Sequence, residues 1–316
     1  MLNFLRSNKP IYFFFSVAIL PIIAILSYIN SSGLLWFIDS FFEVNKAVLY
    51  ALYSFTIFFT ALRINLIINK SVFFQKSNYA SGLIYIVLMG VSGNIHSSIT
   101  PLLGNLFVVL ALENLFKIFR NKSCKIEIFN ASCWLIISSL FYGLNIFLVP
   151  VLWLALYFIR PFQWREYIMP LIALVFLGAF FIPILLISDG FYTFFKDWLV
   201  SSWRIDYLSA FEWNYISFSM LIGLLICISS LVFTFSKSSN RYKKISWIIV
   251  SLLFLCFAQF LFIKFIFSID YPLFFNLTVP FSILLSNSVL NSKYPWLIDS
   301  YLTLLILGKI LVEYVA

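Results

Sequence analysis

The chain has 316 residues, of which 63% are hydrophobic and only 10% charged, and its mean hydropathy is +1.02. Soluble domains carry about 25% charged residues, so this composition excludes an ordinary soluble fold. The formal net charge is +9, but the basic residues cluster between apolar runs, as in the cytoplasmic loops of membrane proteins. We therefore expect a membrane protein that contacts membrane lipids and binds no nucleic acid.

The apolar runs have about the length that a membrane-spanning helix needs, roughly 20 residues. In chain order they are Ile11–Tyr28, Ala47–Ile68, the shorter Ala80–Val91, Pro101–Phe119, Ile168–Ile187, Tyr215–Phe235, Ile245–Phe267, Leu273–Val289 and Trp296–Val315. Backbone polar groups in lipid must be satisfied within the segment, which favours helices. The sequence predicts an all-α, polytopic bundle of about 11 hydrophobic segments, forming a single transmembrane domain over residues 1–316.

The segment Ile128–Ile159 is too long for one span, and basic residues flank it on both sides. Because basic flanks favour the cytoplasmic side, the chain must return to the side from which it started. Gly143–Asn145 supplies a turn near the middle. This pattern predicts a short helical hairpin packed inside the bundle.

The remaining charges predict a cytoplasmic N-terminus, without a cleaved signal peptide, and an external C-terminus. Most acidic residues fall on the outer side of this arrangement. Two outer segments stand out: one contains Asp39 and Glu43 and is predicted to lie as a helix at the membrane interface. The other is the long loop from Ser188 to Asn214, which contains Lys196 and Arg204.

The cysteines and one pair of charged residues are predicted to have structural roles. The spacing gives no disulfide framework, and we expect packing roles for Cys124, Cys133, Cys227 and Cys256. Glu113 and Lys117 are four residues apart near the inner end of a helix, which predicts a structural ion pair. With one histidine and no nucleotide or metal motif, the sequence predicts no metal site and no cofactor.

Three local patterns carry a resemblance. They are FLRSNKPI, then LLGNLFVVLALENLFKIF followed by FNASCWLIISSLFYGLNIFLVPVLWLALYF, and then RPFQWREYIMP. Over roughly residues 1–190, the chain resembles a domain-of-unknown-function family of multi-pass inner-membrane proteins known chiefly from Bacteroidetes. This resemblance implies a multi-pass protein of the bacterial inner (cytoplasmic) membrane but no established activity.

A more distant likeness is to the GT-C superfamily of polytopic glycosyltransferases, which use lipid-linked sugars. Asp39 and Glu43 match the acidic position in the first outer loop of that superfamily. Cys133–Tyr142 and Asn145–Tyr157, with Pro150, are similar to its short hairpin. Many members carry adjacent acids, whereas here the two acids are four positions apart. The likeness implies a GT-C-like arrangement and sugar transfer.

Asp39 and Glu43 are the candidate catalytic residues. Their spacing puts both carboxylates on one face of a helix, and their repulsion would raise the pKa of at least one of them, as a general base requires. The base would deprotonate an acceptor hydroxyl. The alternative is that both are ordinary acids facing water.

Lys196, Arg204 and His96 are the candidate substrate-binding residues. A fixed cation would stabilise the phosphate that leaves when a lipid-linked sugar is transferred. The alternative for Lys196 and Arg204 is a local salt bridge within their loop. The alternative for His96, which lies in an outer turn, is a solvated polar residue.

These observations leave more than one function open. The first is a glycosyltransferase that uses a polyprenyl-phosphate-linked sugar donor at the outer face in envelope glycan assembly. The second is a non-catalytic scaffold, or a subunit of a cell-envelope complex that docks an envelope protein partner. A transporter is less favoured because charge in mid-membrane is sparse and no inverted repeat is evident.

Overall fold

The computed structural model describes residues 46–71, 73–74, 78–92, 99–119, 124–187, 215–235, 238–267 and 275–291, and near the C-terminus 296, 298, 300–306 and 308. Every regular element in these ranges is a helix. The first predicted span, Ile11–Tyr28, and the predicted interfacial helix with Asp39 and Glu43 lie outside the described residues.

The described chain contains ten α-helices and one 3-10 helix with assigned bounds. In chain order they are α1 (Lys46–Ser71), α2 (Ala80–Ser92), α3 (Ile99–Lys117), α4 (Lys125–Phe141), a 3-10 helix (Gly143–Leu148), α5 (Pro150–Ile159), α6 (Trp164–Tyr167), α7 (Met169–Ile187), α8 (Tyr215–Phe235), α9 (Asn240–Phe267) and α10 (Phe275–Asn291). Residues 300–306 are also helical.

The helical prediction is confirmed for the described part, with one boundary corrected. The apolar run predicted a helix from Ile245, but α9 begins at Asn240 and includes Arg241, Lys243 and Lys244. Arginine and lysine are good helix formers, and their long side chains can carry the charge away from the apolar body of the helix. A helix boundary drawn where the apolar residues begin therefore starts too late.

Membrane association is supported by helix length and by surface chemistry. Three described helices are long and apolar enough to cross a membrane, with spans at Ala51–Ser71, Trp164–Pro183 and Asn240–Gln259. Large apolar side chains on α7 and α8 are exposed, among them Val175, Phe180 and Leu225. Water would disfavour such a surface and lipid tails would not. The larger count of about 11 hydrophobic segments remains a prediction.

The helices form two compact units. In the first, α2 packs against α1 and α10, and α8 packs against α10. Its core is apolar, but polar side chains connect the helices. The Asn65 side-chain oxygen accepts hydrogen bonds from the Ser81 hydroxyl and the Gly82 amide, both at 2.8 Å. In an apolar medium such bonds between helices fix their register.

Gly82 explains how α1 and α2 approach so closely. A Cβ atom at this position would lie 2.7 Å from the Ala61 carbonyl oxygen and would also clash with the Asn65 side chain. Any larger residue must therefore push the two helices apart. Small residues at membrane helix contacts commonly serve this purpose.

The second unit contains the predicted hairpin, whose two helices and turn are confirmed, while its place inside the bundle stays a prediction. Helix α4 ends at Phe141, where Tyr142 adopts extended backbone, and the 3-10 helix makes the turn before α5. After α5 the chain has returned to the start of the hairpin, as shown by the 3.3 Å distance between the Arg160 guanidinium after α5 and the Ile118 carbonyl oxygen before α4. The turn is held by Asn145, which donates to Ser138 Oγ at 2.5 Å, while Ser138 donates to the Gly104 carbonyl at 2.7 Å.

A buried charged cluster as candidate functional site

The end of α5 positions the charges of the second unit. Pro161 follows Arg160, and a residue before proline is pushed out of the helical region into extended backbone. Arg160 accordingly has φ −136° and ψ 157° and ends the helix. The chain then makes the single turn of α6, in which the Tyr167 carbonyl accepts a 2.9 Å hydrogen bond from the Trp153 indole.

That turn directs Glu166 inward and Arg165 outward. Glu166 is only 3% exposed, and its Oε1 lies 3.8 Å from Arg160 Nη1. This distance makes an ion pair rather than a hydrogen bond. Arg165 is exposed and lies over the Trp164 ring, 5.8 Å from its centroid. Two arginines that the sequence places in one basic cluster therefore have different surroundings.

Cys124 completes what we call the Glu166 cluster, namely Cys124, Arg160 and Glu166. The Cys124 thiol is fully buried and donates a hydrogen bond to the Glu166 carboxylate. Burial is the main cause that raises the pKa of this thiol to about 12, and the hydrogen bond and the negative charge of Glu166 act in the same direction. A thiol that stays protonated is a poor nucleophile, so this cysteine is inert rather than activated.

Two basic side chains donate hydrogen bonds to carbonyl groups near the C-terminal ends of helices around this cluster. Arg160 Nη2 donates to the Ile118 carbonyl at 3.3 Å, just beyond α3. Lys244 Nζ, from α9, donates to the Ile159 carbonyl at 2.9 Å, at the end of α5. The last carbonyls of a helix have no partner within it, and cations near a helix C-terminus are stabilising. The arrangement therefore fixes where α3, α5, α6 and α9 meet.

The predicted site residues cannot be compared with this geometry. Asp39, Glu43, His96, Lys196 and Arg204 all lie outside the described residues. Within the described ranges, no group of three or more His, Cys, Asp or Glu side chains is placed to hold a metal ion.

Another predicted pair is confirmed. Lys117 Nζ lies 3.5 Å from Glu113 Oε1, and the lysine side chain is 50% exposed. Lys117 also donates to the Asn114 side chain at 3.2 Å. This is the half-exposed structural pair that the four-residue spacing predicts.

Glu166 was not among the predicted site residues, although one signal in the sequence pointed to it. Glu166 directly follows Arg165 in a segment that the positive-inside bias assigns to the cytoplasm, where the other acids are few. An acid among basic residues next to a helix end is a candidate for an internal pair. Cys124 was expected to be a packing residue, which its burial confirms, but its hydrogen bond to Glu166 was not foreseen.

The chain was compared with protein-family models, with curated proteins and with solved structures, and none of them matches it.

Proposed function

We propose that this chain is a multi-pass protein of the bacterial inner membrane that transfers a sugar from a polyprenyl-phosphate carrier at the outer face, in envelope glycan assembly. The apolar exposed surfaces of α7 and α8 and the three helices of spanning length support the membrane placement. The charge distribution of the sequence supports the orientation, with a cytoplasmic N-terminus.

One observation carries the assignment of the chemistry to the outer segments. Several polar groups buried in the described helices make contacts between helical segments, as Asn65 does with Ser81 and Arg160 does with Glu166. Such contacts suit a rigid frame, and the only described thiol in a charged setting, Cys124, is protonated. We therefore assign proton transfer and the binding of the carrier phosphate to the predicted outer segments.

In the proposed reaction, Asp39 or Glu43 accepts the proton of an acceptor hydroxyl. The resulting oxygen attacks the anomeric carbon of the sugar, and the bond between that carbon and the carrier phosphate oxygen breaks. Lys196 and Arg204 stabilise the negative charge of the departing polyprenyl phosphate. His96 donates a hydrogen bond to the bound substrate.

The test uses a deletion strain complemented with variants. Asp39→Asn and Glu43→Gln keep side-chain size but remove basicity, so at least one should leave the envelope glycan profile, measured by mass spectrometry, as in the deletion strain. Asp270→Asn and Glu313→Gln are matched controls, because both acids are also predicted to lie outside. Both should complement fully. Normal glycans with Asp39→Asn and Glu43→Gln at normal protein abundance would refute the enzyme.

The orientation has an independent test. Reporter fusions after Lys125 and after Asp206 should report opposite sides of the membrane, with Lys125 inside. Agreement of the two reporters on one side would show that the proposed topology is wrong.

A scaffold is the second candidate, favoured by the surface of α7. Only 17% of the most apolar stretch of the Trp164–Pro183 span is buried, against 50% in each of the other two spans. A helix this exposed suits contact with a partner's membrane helix as well as with lipid. Val175→Ala and Phe180→Ala should then abolish co-purification of an envelope partner. If the chain is a glycosyltransferase instead, its sugar transfer should be unchanged by both substitutions.

A further inference from the structure

We infer that Arg241 binds the phosphate of an anionic lipid headgroup at the membrane interface. Arg241 lies in the first turn of α9 and is half-buried. Its Nε and Nη2 atoms are buried, and neither makes a hydrogen bond within the described part of the chain. The inference concerns the membrane placement alone and does not depend on sugar transfer.

The unsatisfied guanidinium requires a negative partner. A guanidinium is positively charged, and burying its polar atoms without a counter-charge is unfavourable. Nε and Nη2 lie on one edge of the guanidinium plane and form a fork that matches two oxygens of a phosphate or carboxylate. An anion with at least two free oxygens is thus the ligand class that these atoms fit.

Arg241 belongs to the first unit, and the described helices of that unit offer no carboxylate to it. Neither aspartate nor glutamate occurs in α1, α2, α8 or α10, and none occurs in α9 itself. The nearest charged residue on α9 is the cation Lys243. The positive end of the α9 dipole also lies here and favours an anion. The charge that these helices cannot supply must then come from outside them.

Depth in the membrane identifies the source. The spanning stretch of α9 begins at Asn240, so Arg241 lies where the hydrocarbon region meets the headgroups. Anionic phospholipids present their phosphodiester at this level, and basic pockets between membrane helices bind them. The adjacent Tyr242 is fixed by its hydrogen bond to Asn287 (2.8 Å) and by stacking on Phe73, with ring centroids 4.7 Å apart. The backbone that carries Arg241 is therefore rigidly placed.

The experiment measures lipid binding to the purified full chain in detergent. Native mass spectrometry and thermal unfolding are recorded with phosphatidylglycerol, with phosphatidylcholine and with inorganic phosphate. The wild type should retain phosphatidylglycerol and unfold at a higher temperature in its presence. Arg241→Gln should weaken phosphatidylglycerol binding by about 10-fold to 100-fold, because charge-assisted hydrogen bonds are lost. Lys243→Gln, which removes the same charge two positions away, should bind almost as the wild type does.

Each alternative result has a defined meaning. Equal phosphatidylglycerol binding by wild type and Arg241→Gln overturns the inference, as does equal weakening by Lys243→Gln, which indicates diffuse charge attraction. Stabilisation by millimolar inorganic phosphate as strong as by the lipid overturns the lipid as the source. If circular dichroism shows that Arg241→Gln does not fold, Arg241→Lys is used to test the inference instead. It keeps the charge but loses the fork, so about 10-fold weaker binding supports the inference, and wild-type binding refutes it.

Discussion

Glu166→Gln removes one charge of the buried pair and changes little else. The amide has nearly the volume of the carboxylate, and its oxygen can still accept the hydrogen bond of the Cys124 thiol. At the 3.8 Å that separates Arg160 Nη1 from Glu166 Oε1, two unit charges attract by about 4 kcal/mol at an effective dielectric constant of ~20. That attraction is what the substitution removes.

The expected loss of unfolding free energy is about 2–4 kcal/mol, near the lower end of the range for breaking a buried pair. The reason is that the Arg160 side chain is 18% exposed and still donates to the Ile118 carbonyl, so it recovers part of its stabilisation. The matched control is Glu113→Gln, which breaks a pair whose lysine is 50% exposed. That control should cost no more than about 0.5 kcal/mol.

Unfolding by sodium dodecyl sulfate titration in detergent micelles, followed by circular dichroism, measures both variants. The double variant Arg160→Leu/Glu166→Leu should cost less than the sum of the two single substitutions, because neither charge is then left unpaired. A difference of less than about 0.5 kcal/mol between Glu166→Gln and Glu113→Gln, or additive effects of the two leucine substitutions, would show that the buried pair does not stabilise the fold.

Three further predictions concern the thiol and a helix contact. With the other cysteines replaced by alanine, Cys124 at pH 8 should react with N-ethylmaleimide at least about 100-fold more slowly in the folded protein than in the unfolded chain; equal rates would contradict its burial. The pKa of this thiol is raised in the folded state from 9.0 to about 12. Its contribution to the free energy of unfolding is therefore complete below pH 9. That contribution is lost as the pH rises from about 9 to about 12, by at most ~1.4 kcal/mol per pH unit. Cys124→Ala should remove that slope, and an unchanged slope would exclude the thiol as its origin. Gly82→Ala should destabilise the protein by about 1–3 kcal/mol through overpacking. The control Gly178→Ala, whose Cβ would meet only Ile182 Cδ1 at 3.8 Å, should stabilise the protein by roughly 0.5–1 kcal/mol. Similar effects of both substitutions would show that the α1–α2 contact is not tight.

The helices could be predicted from the sequence because lipid imposes a simple rule on apolar length. The run Tyr215–Phe235 has the bounds of α8, and the hairpin followed from basic residues on both sides of Ile128–Ile159. The start of α9 was missed because apolarity marks the lipid-embedded part of a helix and not its hydrogen-bonded ends. The five predicted site residues stay predictions.

The sequence marks Glu166 as a candidate for an internal pair, but its partners could not be predicted, since they depend on the bend of the chain and on Cys124 in a separate segment. In the sequence, Arg160 and Arg165 are two equivalent basic residues near a helix end. Only the bend after Pro161 and the return of the hairpin decide that Arg160 faces Glu166 while Arg165 faces outward. Residue types and spacing carry no information on such a choice when the segments that meet are distant in the chain.

The hydrogen bond from Lys244 to the Ile159 carbonyl also has a consequence for biosynthesis. Its partners are 85 residues apart, and a ribosome adds about 5–20 residues per second. The end of α5 therefore waits at least about 4 to 17 s for its donor after it has been made. During that time the carbonyl must be hydrated, so the C-terminal end of α5 stays at the membrane surface. Membrane insertion of α9 would then be the event that locks the hairpin in place.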